Sequence, residues 1–348
     1  MNDGWEETGI AAKTIEPCGK DLVYMGLEEV KDEQGNEAGY KLRVRDMLTG
    51  QERTSAAEPF AEQTLIGCTP DSRYLLIGTY LKNVGNSINA YDTETMKMIG
   101  TFAYHDEAGL TTQRLSPDGR YLLAGEKESS FPLPDGRRIQ VLPALLPFRS
   151  RVTSVAWSGD SAKAYILTKS GPQNLIIYDV ATSAQRTIEL AFGPRDYFGM
   201  RIMVHPKTER VFIHTGLSFD GEIEFIEYLF MFDPAQLPKK GNTITVKPQL
   251  LGDIFATVAF GPDNTLLFSL MPNQEASTPA FPEKYKGIFM ADLDGKVIGR
   301  ITKDHYDLEP AYMDERRLLV ISRENRLPFN ALYMRTIMYW RNSSASIR

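Results

Sequence analysis

Charged side chains that could bind a metal ion or an anion recur along the chain, each shortly before a segment predicted to form a strand. They are Glu62, His105, Asp106, Glu107, Arg149, Arg151, Arg195, Asp196, Asp253, His305, Asp307 and Glu309. Carboxylates and imidazoles are ligands for divalent cations, and arginine holds anions through paired hydrogen bonds. If the fold gathers these side chains at one opening, they form a polar ligand site or a metal site there. The interpretation we favour is that they are solvated loop charges of opposite sign that neutralise one another.

The sequence contains no motif for a known catalytic chemistry: Gly-x-Ser-x-Gly, His-Glu-x-x-His, Cys-x-x-Cys and Walker loops are all absent. The segment "ADLDGK", from Ala291, has the aspartates of a calcium loop but lacks its glycine spacing and distal glutamate, so it is predicted to be a turn. His205 and His214 alternate with apolar residues and are predicted to be packed within strands. Four repeated aspartates are also interpreted as turn formers, namely Asp71, Asp118, Asp160 and Asp263.

One short hairpin sequence is repeated along the chain. The copies are "CTPDSRYLLIG" from Cys68, "LSPDGRYLLAG" from Leu115, "WSGDSAKAYILT" from Trp157, "VHPKTERVFIHT" from Val204, "AFGPDNTLLFSL" from Ala259, "AYMDERRLLVIS" from Ala311 and a weaker one, "PCGKDLVYMG", from Pro17. Proline, aspartate, serine and glycine favour a tight turn, and the apolar runs on each side favour strands. Such spacing is typical of a repeat architecture.

A second mark follows most of these hairpins, where an apolar strand ends at an aspartate and a new turn begins. It occurs at Asp46, Asp92, Asp179, Asp233 and Asp292. Each repeat therefore has four strands, called a to d, with the first turn between a and b and the aspartate turn between c and d. A twisted four-stranded sheet that stacks on similar neighbours is a propeller blade. The sequence predicts an all-β fold, a seven-bladed β-propeller of four-stranded antiparallel blades.

The repeats extend over the whole chain. Residues 1–348 are predicted to form a single propeller domain, with blades that begin near residues 10, 60, 110, 151, 200, 254 and 308. The last repeat lacks an aspartate turn, so residues 5–10 are expected to supply its missing outer strand and cover an exposed edge. The alternative is that the tail at 329–340 bends to form strands c and d.

The turns "TPDSRYLL" and "SPDGRYLL" resemble the propeller repeats of TolB and of YVTN-type proteins, and of a wider group that includes the large subunits of amine dehydrogenases. The resemblance covers most of the chain as a repeat pattern. The Gly-His to Trp-Asp signature of WD repeats is absent, and so is the Asp-box of sialidases. Because the group includes partner-binding proteins, enzyme subunits and lactonases, the resemblance implies a propeller but no particular activity.

Composition limits the classes of partner. The formal net charge of -6 and the pI of about 5.5 argue against nucleic acid binding, which requires a basic surface. No apolar stretch is long enough to span a membrane, and the start, "MNDGWEETGI", does not resemble a signal peptide. The protein is expected in the cytoplasm, or in the periplasm or outside the cell if the chain is a trimmed mature form.

The two cysteines, Cys18 and Cys68, lie at similar places near the end of strand a in the first two repeats. A disulfide between neighbouring blades is conceivable, but inner strands usually diverge beyond bridging distance. We therefore expect two buried free thiols.

Strand parity divides the connections between two faces of the predicted propeller. The a–b and c–d turns lie on one face, and the b–c and d–a connections lie on the other. The long connections, at 28–39, 126–136, 216–225 and 271–286, all lie on the second face, together with the charged residues that precede each strand a. Binding groups are often carried on loops that a rigid scaffold holds.

Two functions remain. The first is a non-catalytic propeller, without a cofactor, that binds a protein partner through this second face. Phe281 and Tyr285 are its predicted anchors, with capping of their own blade as the alternative. The second is an enzyme or enzyme subunit with a small-molecule site at the mouth of the channel, similar to metal-dependent lactonases or to amine dehydrogenase subunits. A divalent metal in the channel would favour this second function.

Overall fold

The structure, a computed structural model, describes residues 5–12, 16–19, 21–58, 62–81, 85–104, 115–125, 129–143, 151–169, 173–192, 197–217, 227–237, 243–246, 248–252, 255–261, 264–270, 287–300, 308–314, 317–322 and 335–341. Within these ranges the chain forms strands and turns, with one short 3-10 helix at Pro234–Gln236. No helix in the described part of the chain is long and apolar enough to cross a membrane. The prediction of an all-β fold is confirmed.

The strands are numbered in chain order. The first half of the chain contains β1 Trp5–Ala12, β2 Glu16–Cys18, β3 Leu22–Lys31, β4 Glu37–Asp46, β5 Glu52–Thr54, β6 Glu62–Cys68, β7 Tyr74–Leu81, β8 Gly85–Asp92, β9 Lys97–Tyr104, β10 Tyr121–Gly125, β11 Ser129–Pro132, β12 Arg138–Pro143, β13 Arg151–Trp157 and β14 Lys163–Lys169. The second half contains β15 Gln173–Asp179, β16 Gln185–Leu190, β17 Tyr197–Val204, β18 Val211–Leu217, β19 Glu227–Phe232, β20 Thr243–Val246, β21 Gln249–Gly252, β22 Phe255–Phe260, β23 Thr265–Leu270, β24 Ile288–Asp292, β25 Val297–Arg300, β26 Leu308–Asp314, β27 Arg317–Ser322 and β28 Arg335–Arg341.

The strands of the described ranges form seven sheets, which we number along the chain. Five are four-stranded and antiparallel, as predicted: sheet 1 (β2-β3-β4-β5), sheet 2 (β6-β7-β8-β9), sheet 5 (β17-β18-β19-β21), sheet 6 (β22-β23-β24-β25) and sheet 7 (β26-β27-β28-β1). Two differ from this plan: sheet 3 (β10-β12-β11) and sheet 4 (β13-β14-β15-β16-β20).

The apolar core consists of clusters that lie between consecutive sheets. Between sheets 1 and 2, Leu42 packs in one cluster with Leu75 and Ile77. Leu76, the residue between those two, packs instead against Ile139 of sheet 3. Successive side chains of a strand point to opposite faces, so a strand covered on both faces is apolar throughout. Further clusters join sheets 3 to 4, 4 to 5 and 5 to 6, so the sheets stack face to face in chain order.

Sheet 3 departs from the predicted order of strands. β10 pairs with β12 in parallel, and β11 lies outside β12. On the other side of β10, within the described residues, Leu115 forms a single antiparallel bridge with Leu122. The prediction of a long loop at 126–136 was wrong for its described part, because residues 129–136 form β11 and a second Pro-Asp-Gly turn. This second Pro-Asp-Gly turn closes the hairpin of β11 and β12.

Sheet 4 takes its fifth strand from the chain of sheet 5. β20 lies between β19 and β21 in sequence but pairs in parallel with β16. Beside this pairing the rings of Phe192 and Phe230 meet edge to face with centroids 5.0 Å apart, and Leu237 and Val246 pack on the core between the two sheets. The turn at Asp233 therefore leads into the 3-10 helix and β20 before it reaches the outer strand of its own sheet.

The two ends of the described chain meet in sheet 7. β1 pairs antiparallel with β28, and Trp5 lies opposite Trp340. The prediction that residues 5–10 supply the outer strand is confirmed. The alternative, in which the tail forms both strands c and d, is wrong for residues 335–341, which form one strand. β2, the first strand of sheet 1, contacts both β6 and β26, so sheet 1 lies between sheets 2 and 7.

The two cysteines form a disulfide, so the prediction of free thiols was wrong. Cys18 ends β2 and Cys68 ends β6, and their α-carbons are 5.1 Å apart. These first strands of neighbouring sheets stay close at their ends because the turns that follow them touch. A β-carbon added to Gly19 would collide with Ser72.

Candidate functional site

Three of the charged residues that were predicted to gather at one opening lie in the described part of the chain. Glu62 begins β6, Arg151 begins β13 and Glu309 is the second residue of β26. Each therefore lies at the start of the first strand of its sheet. The others lie outside the described residues: His105, Asp106, Glu107, Arg149, Arg195, Asp196, Asp253, His305 and Asp307, and also Phe281 and Tyr285. The gathering of the full set stays a prediction.

The repeated turn between strands a and b has one hydrogen-bond pattern. Ser116 Oγ donates to Asp118 Oδ1 at 2.6 Å and accepts from the Tyr121 N–H at 2.9 Å, while Asp118 also accepts from the Arg120 N–H at 3.0 Å. Burial raises the pKa of Asp118, but the hydrogen bonds from Ser116 and Arg120 outweigh it and hold this pKa below its usual value. The same bonds recur at Thr69 with Asp71 and at Ser158 with Asp160.

One residue of each such turn has a left-handed backbone: the fourth in the turns of sheets 2, 3, 4 and 6, and the fifth in the turn that begins at His205. Gly119 has a φ of 72°, and Ser72, Ser161, Glu209 and Asn264 have values of 60°, 61°, 56° and 59°. Glycine and asparagine accept this conformation more easily than other residues. The aspartates Asp71, Asp118 and Asp160 are thus turn formers, as predicted, and Asp263 lies outside the described residues.

The aspartates at the end of strand c have the same structural role. Asp92 Oδ1 accepts from the N–H groups of Glu94 and Thr95 at 3.0 and 2.9 Å. Asp292 Oδ1 accepts from the N–H groups of Asp294 and Lys296, so the segment "ADLDGK" is a turn, as predicted. Similar bonds occur at Asp46, Asp179 and Asp233. Within the described ranges, no group of histidine, cysteine and acidic side chains could hold a metal ion.

The a–b turns lie on one side of the sheets, here called the turn face. On this face the turns of successive sheets contact one another. A β-carbon at Gly119 would lie 2.9 Å from Pro70 Cδ in the turn of sheet 2. The Asp118 N–H donates to Ser161 Oγ of sheet 4 at 3.1 Å. In both contacts the turn of one sheet touches the turn of the next, and the second contact is a hydrogen bond from a backbone N–H group.

The series of contacts continues towards sheets 5 and 6. A β-carbon at Gly159 would collide with the carbonyl of Pro206 in sheet 5. The ring of His205 in turn meets that of Phe260 in sheet 6 edge to face, with centroids 5.0 Å apart. The turn face is thus continuous from sheet 1 to sheet 6.

Ion pairs also cross between sheets on this face. They are Arg137 with Asp71 at 2.6 Å, Lys163 with Glu209 at 2.6 Å and Arg210 with Asp294 at 2.8 Å. Surface pairs of this kind each contribute little to stability. They do, however, pair these six charged groups within the protein rather than leave them to a ligand.

His205 takes the place that serine or threonine has in the turns of sheets 2, 3 and 4. Its Nδ1 accepts from the Thr208 N–H at 3.1 Å, and the side chain is only 2% exposed. Burial lowers the pKa of His205, and the nearby charges of Lys207 and Arg210 lower it further. The prediction that His205 is packed is confirmed, and His214 lies half-buried within β18.

The opposite side of sheet 1 carries a projecting hairpin, here called the β3–β4 hairpin. The prediction of a loop at 28–39 was wrong, because β3 and β4 continue as paired strands with Glu29 opposite Tyr40 and Val30 opposite Gly39. Asp32 Oδ1 closes its turn by accepting from the N–H groups of residues 34 and 36. Residues 31–38 are all exposed. Of the predicted loop at 216–225, residues 216 and 217 belong to β18 and the rest lie outside the described residues, as does the predicted loop at 271–286.

Comparison with known proteins shows the class of fold. No protein-family model matches the sequence, and no curated protein matches it. Among solved structures, the β-propeller domain of Myceliophteria thermophila Cps50 (Swd1) matches with a TM-score of 0.54 and 11% identity, covering 95% of this chain and 97% of that one. A chain of the mitotic checkpoint complex matches with a TM-score of 0.53 and 12% identity, covering 98% and 96%. The fold of this chain is that of a β-propeller.

TolB from Acinetobacter baumannii also matches, with a TM-score of 0.45 and 10% identity, covering 93% of this chain and 64% of that one. This likeness does not show membership of the TolB and YVTN-type group, so the similarity of the turns stays a resemblance. At such low identities the comparisons show the fold alone.

Proposed function

We propose that the protein is a non-catalytic, seven-bladed propeller that binds a protein partner through the side opposite the turn face. The observation that carries this proposal is the difference between the two sides. The turn face uses its aspartates, glycines and ion pairs to hold neighbouring sheets together. The β3–β4 hairpin instead presents exposed side chains on two paired strands. A surface that is already ordered loses little conformational entropy when a partner binds.

The order of the sheets supports the proposed number of blades. Seven sheets occur in the described part of the chain, sheets 1 to 6 share core clusters in order, and β26 of sheet 7 contacts both sheet 6 and β2 of sheet 1. Each sheet in this proposal is one blade, and β1 completes the last. The likeness to a chain in the mitotic checkpoint complex supports partner binding, because that propeller belongs to an assembly.

The binding side in this proposal includes the starts of the first strands and the long connection at 271–286. Glu62, Arg151 and Glu309 lie at such starts. Phe281 and Tyr285 are the proposed aromatic anchors, since aromatic side chains contribute much of the binding energy at protein interfaces. No cofactor is part of this function.

Two shortened proteins test the proposal. One replaces residues 30–39 by Asn-Gly, which keeps the pair Glu29 and Tyr40 and favours a two-residue hairpin turn. The other replaces residues 271–286 by a short turn. The control is Asp118→Ala, on the turn face. In cross-linked pull-downs from cells that make the protein, we expect wild type and Asp118→Ala to recover the same partner and the shortened proteins to lose it. A melting curve for each variant checks its fold.

Equal recovery of that partner by all four proteins, each with a cooperative melting curve, would contradict the proposed binding side. Metal analysis of the purified protein tests the absence of catalysis separately. We expect no stoichiometric divalent ion. One ion per chain that survives dialysis would overturn the non-catalytic function in favour of the alternative, an enzyme similar to metal-dependent lactonases.

A further inference from the structure

The disulfide is part of a joint between sheets 1 and 2 on the turn face. Cys18 is fully buried, within the cluster that contains Leu22 and Leu42, whereas Cys68 packs at the edge of that cluster and is partly exposed. Gly19, the next residue after Cys18, packs against the turn that begins just after Cys68. The covalent bond and the turn contact therefore hold the same two chain segments together.

The bridge closes a loop of chain that contains most of sheet 1. The two cysteines are separated by 50 residues, and β3, β4 and β5 all lie between them. The β3–β4 hairpin belongs to this loop. Opening the bridge would remove a covalent restraint from sheet 1, and sheets 5 and 6 would keep their own contacts.

We propose that this bridge is a thiol–disulfide exchange site that is opened through Cys68, and that its oxidised form clamps sheet 1 to sheet 2. Exchange requires a thiolate to reach one sulfur of the bridge, and the reachable sulfur decides where a mixed disulfide forms. Apolar side chains enclose Cys18, whereas part of Cys68 remains open to solvent. A small thiol such as glutathione therefore reacts at Cys68, with Cys18 as the leaving group.

The reaction balances in two steps. The external thiolate forms a sulfur–sulfur bond with Cys68 while the bond between Cys18 and Cys68 breaks, and the electron pair leaves on Cys18, which takes a proton from water. A second external thiolate then attacks the external sulfur of the mixed disulfide. The two external thiols are thereby oxidised to a disulfide, and the bridge is reduced to two thiols. The reverse reaction, with an external disulfide as oxidant, forms the clamp.

The surroundings of Cys18 make this exchange slow in the folded protein. A thiolate released among apolar side chains is poorly solvated, which disfavours Cys18 as a leaving group. The clamp thus persists where external thiols are scarce, as in oxidising compartments. Prolonged exposure to thiols opens it, and the loss of order begins in sheet 1.

Peptide mapping of the wild-type protein tests the direction of attack. The folded protein is incubated with reduced glutathione, quenched in acid, alkylated at free thiols and digested. We expect glutathione on Cys68 and the alkyl group on Cys18. Glutathione mainly on Cys18, or shared equally, would overturn the proposal, and so would exchange that proceeds only at the rate of global unfolding.

Two single variants provide an independent measurement. Cys18→Ser leaves Cys68 as the only thiol, and Cys68→Ser leaves Cys18. In proteins that melt cooperatively, we expect a small maleimide to react at least about tenfold faster with the first variant, because Cys68 is the accessible position. Equal rates would contradict the proposal. Hydrogen exchange of the reduced wild type should rise in residues 22–54 relative to residues 200–260, and a uniform rise would contradict the local clamp.

Discussion

The turn face and the β3–β4 hairpin are both built from strands that a tight turn closes, but they differ in what surrounds the turn. Gly119 and Gly35 both have positive φ, at 72° and 84°. A β-carbon at Gly119 would press on Pro70 of the neighbouring sheet, whereas one at Gly35 would meet nothing within 4 Å. Similar local chemistry therefore has two roles. On the turn face it determines how sheets fit together, and on the hairpin it only closes a loop.

Removal of the disulfide should have the largest effect on stability. We expect Cys18→Ala with Cys68→Ala to lower the free energy of unfolding by about 2–4 kcal/mol, because the unfolded chain loses a long covalent loop. Urea unfolding measures this change. The hairpin variant that lacks residues 30–39 is the comparison and should change stability by under about 1 kcal/mol, since residues 31–38 are exposed. A similar loss in both proteins would remove the distinction between the two regions.

A matched pair of glycines isolates the contact between turns. Gly119 and Gly136 both occur in the sequence Pro-Asp-Gly-Arg with positive φ, but a β-carbon at Gly136 meets nothing within 4 Å. We expect Gly119→Ala to lower the free energy of unfolding by about 1–2 kcal/mol more than Gly136→Ala, because only the former overpacks a neighbouring sheet. Equal losses in urea unfolding would mean that backbone strain, rather than packing between sheets, accounts for both.

The turn face should also respond to pH through His205. Burial lowers the pKa of this histidine below its usual 6.5, so the unfolded chain binds a proton more readily than the folded one. The contribution of neutral His205 to stability is therefore fully present above about pH 6.5. It is lost as the pH falls from there towards the pKa of His205 in the folded protein. His205→Ser, which introduces the residue type that Ser116 has in the equivalent turn of sheet 3, should remove this part of the pH dependence of stability. Thermal melting between pH 7 and 5 measures it, and an unchanged slope in the variant would contradict the assignment.

The smallest effect is expected at Asp135. Its hydrogen bond from Arg137, which also pairs with Asp71 of sheet 2, lowers the pKa of Asp135 to about 2. This contribution to stability is present above pH 3.8 and is lost as the pH falls towards about 2. Asp135→Asn should make the free energy of unfolding depend less on pH in this range. Asp32→Asn, in the hairpin, is the control, since local N–H groups lower the pKa of Asp32 without a link to another sheet. A larger change in the pH dependence of stability for Asp32→Asn than for Asp135→Asn would contradict the assignment of this effect to the link between sheets.

The sequence was sufficient to predict the turns and the strands beside them. Ser116 with Asp118 and Asp92 with Thr95 form bonds within a few residues, so local chemistry determines them. The order of strands in sheet 3 was not predictable in this way. The same Pro-Asp-Gly sequence occurs at 117–119 and at 134–136, and it specifies a turn but not which strand lies beside which.

Features that depend on distant partners were also missed. The addition of β20 to sheet 4 depends on a parallel pairing with a strand about 60 residues earlier in the chain. The disulfide depends on how closely two turns pack, which the positions of Cys18 and Cys68 alone do not reveal. The alternation of strand direction did predict that Glu62 and Arg151 lie at the starts of first strands. That prediction requires only the number of strands per repeat.

The pairing of β1 with β28 links the order of synthesis to the order of assembly. β1 is made before β28, and the strands of sheets 1 to 6 lie between them in the chain, so β1 lacks this partner until residues 335–341 have been made. Each of the other six sheets draws its strands from a shorter span of chain. A ribosome that stops before residue 335 therefore releases a chain in which β1 lacks the strand that it pairs with in this fold.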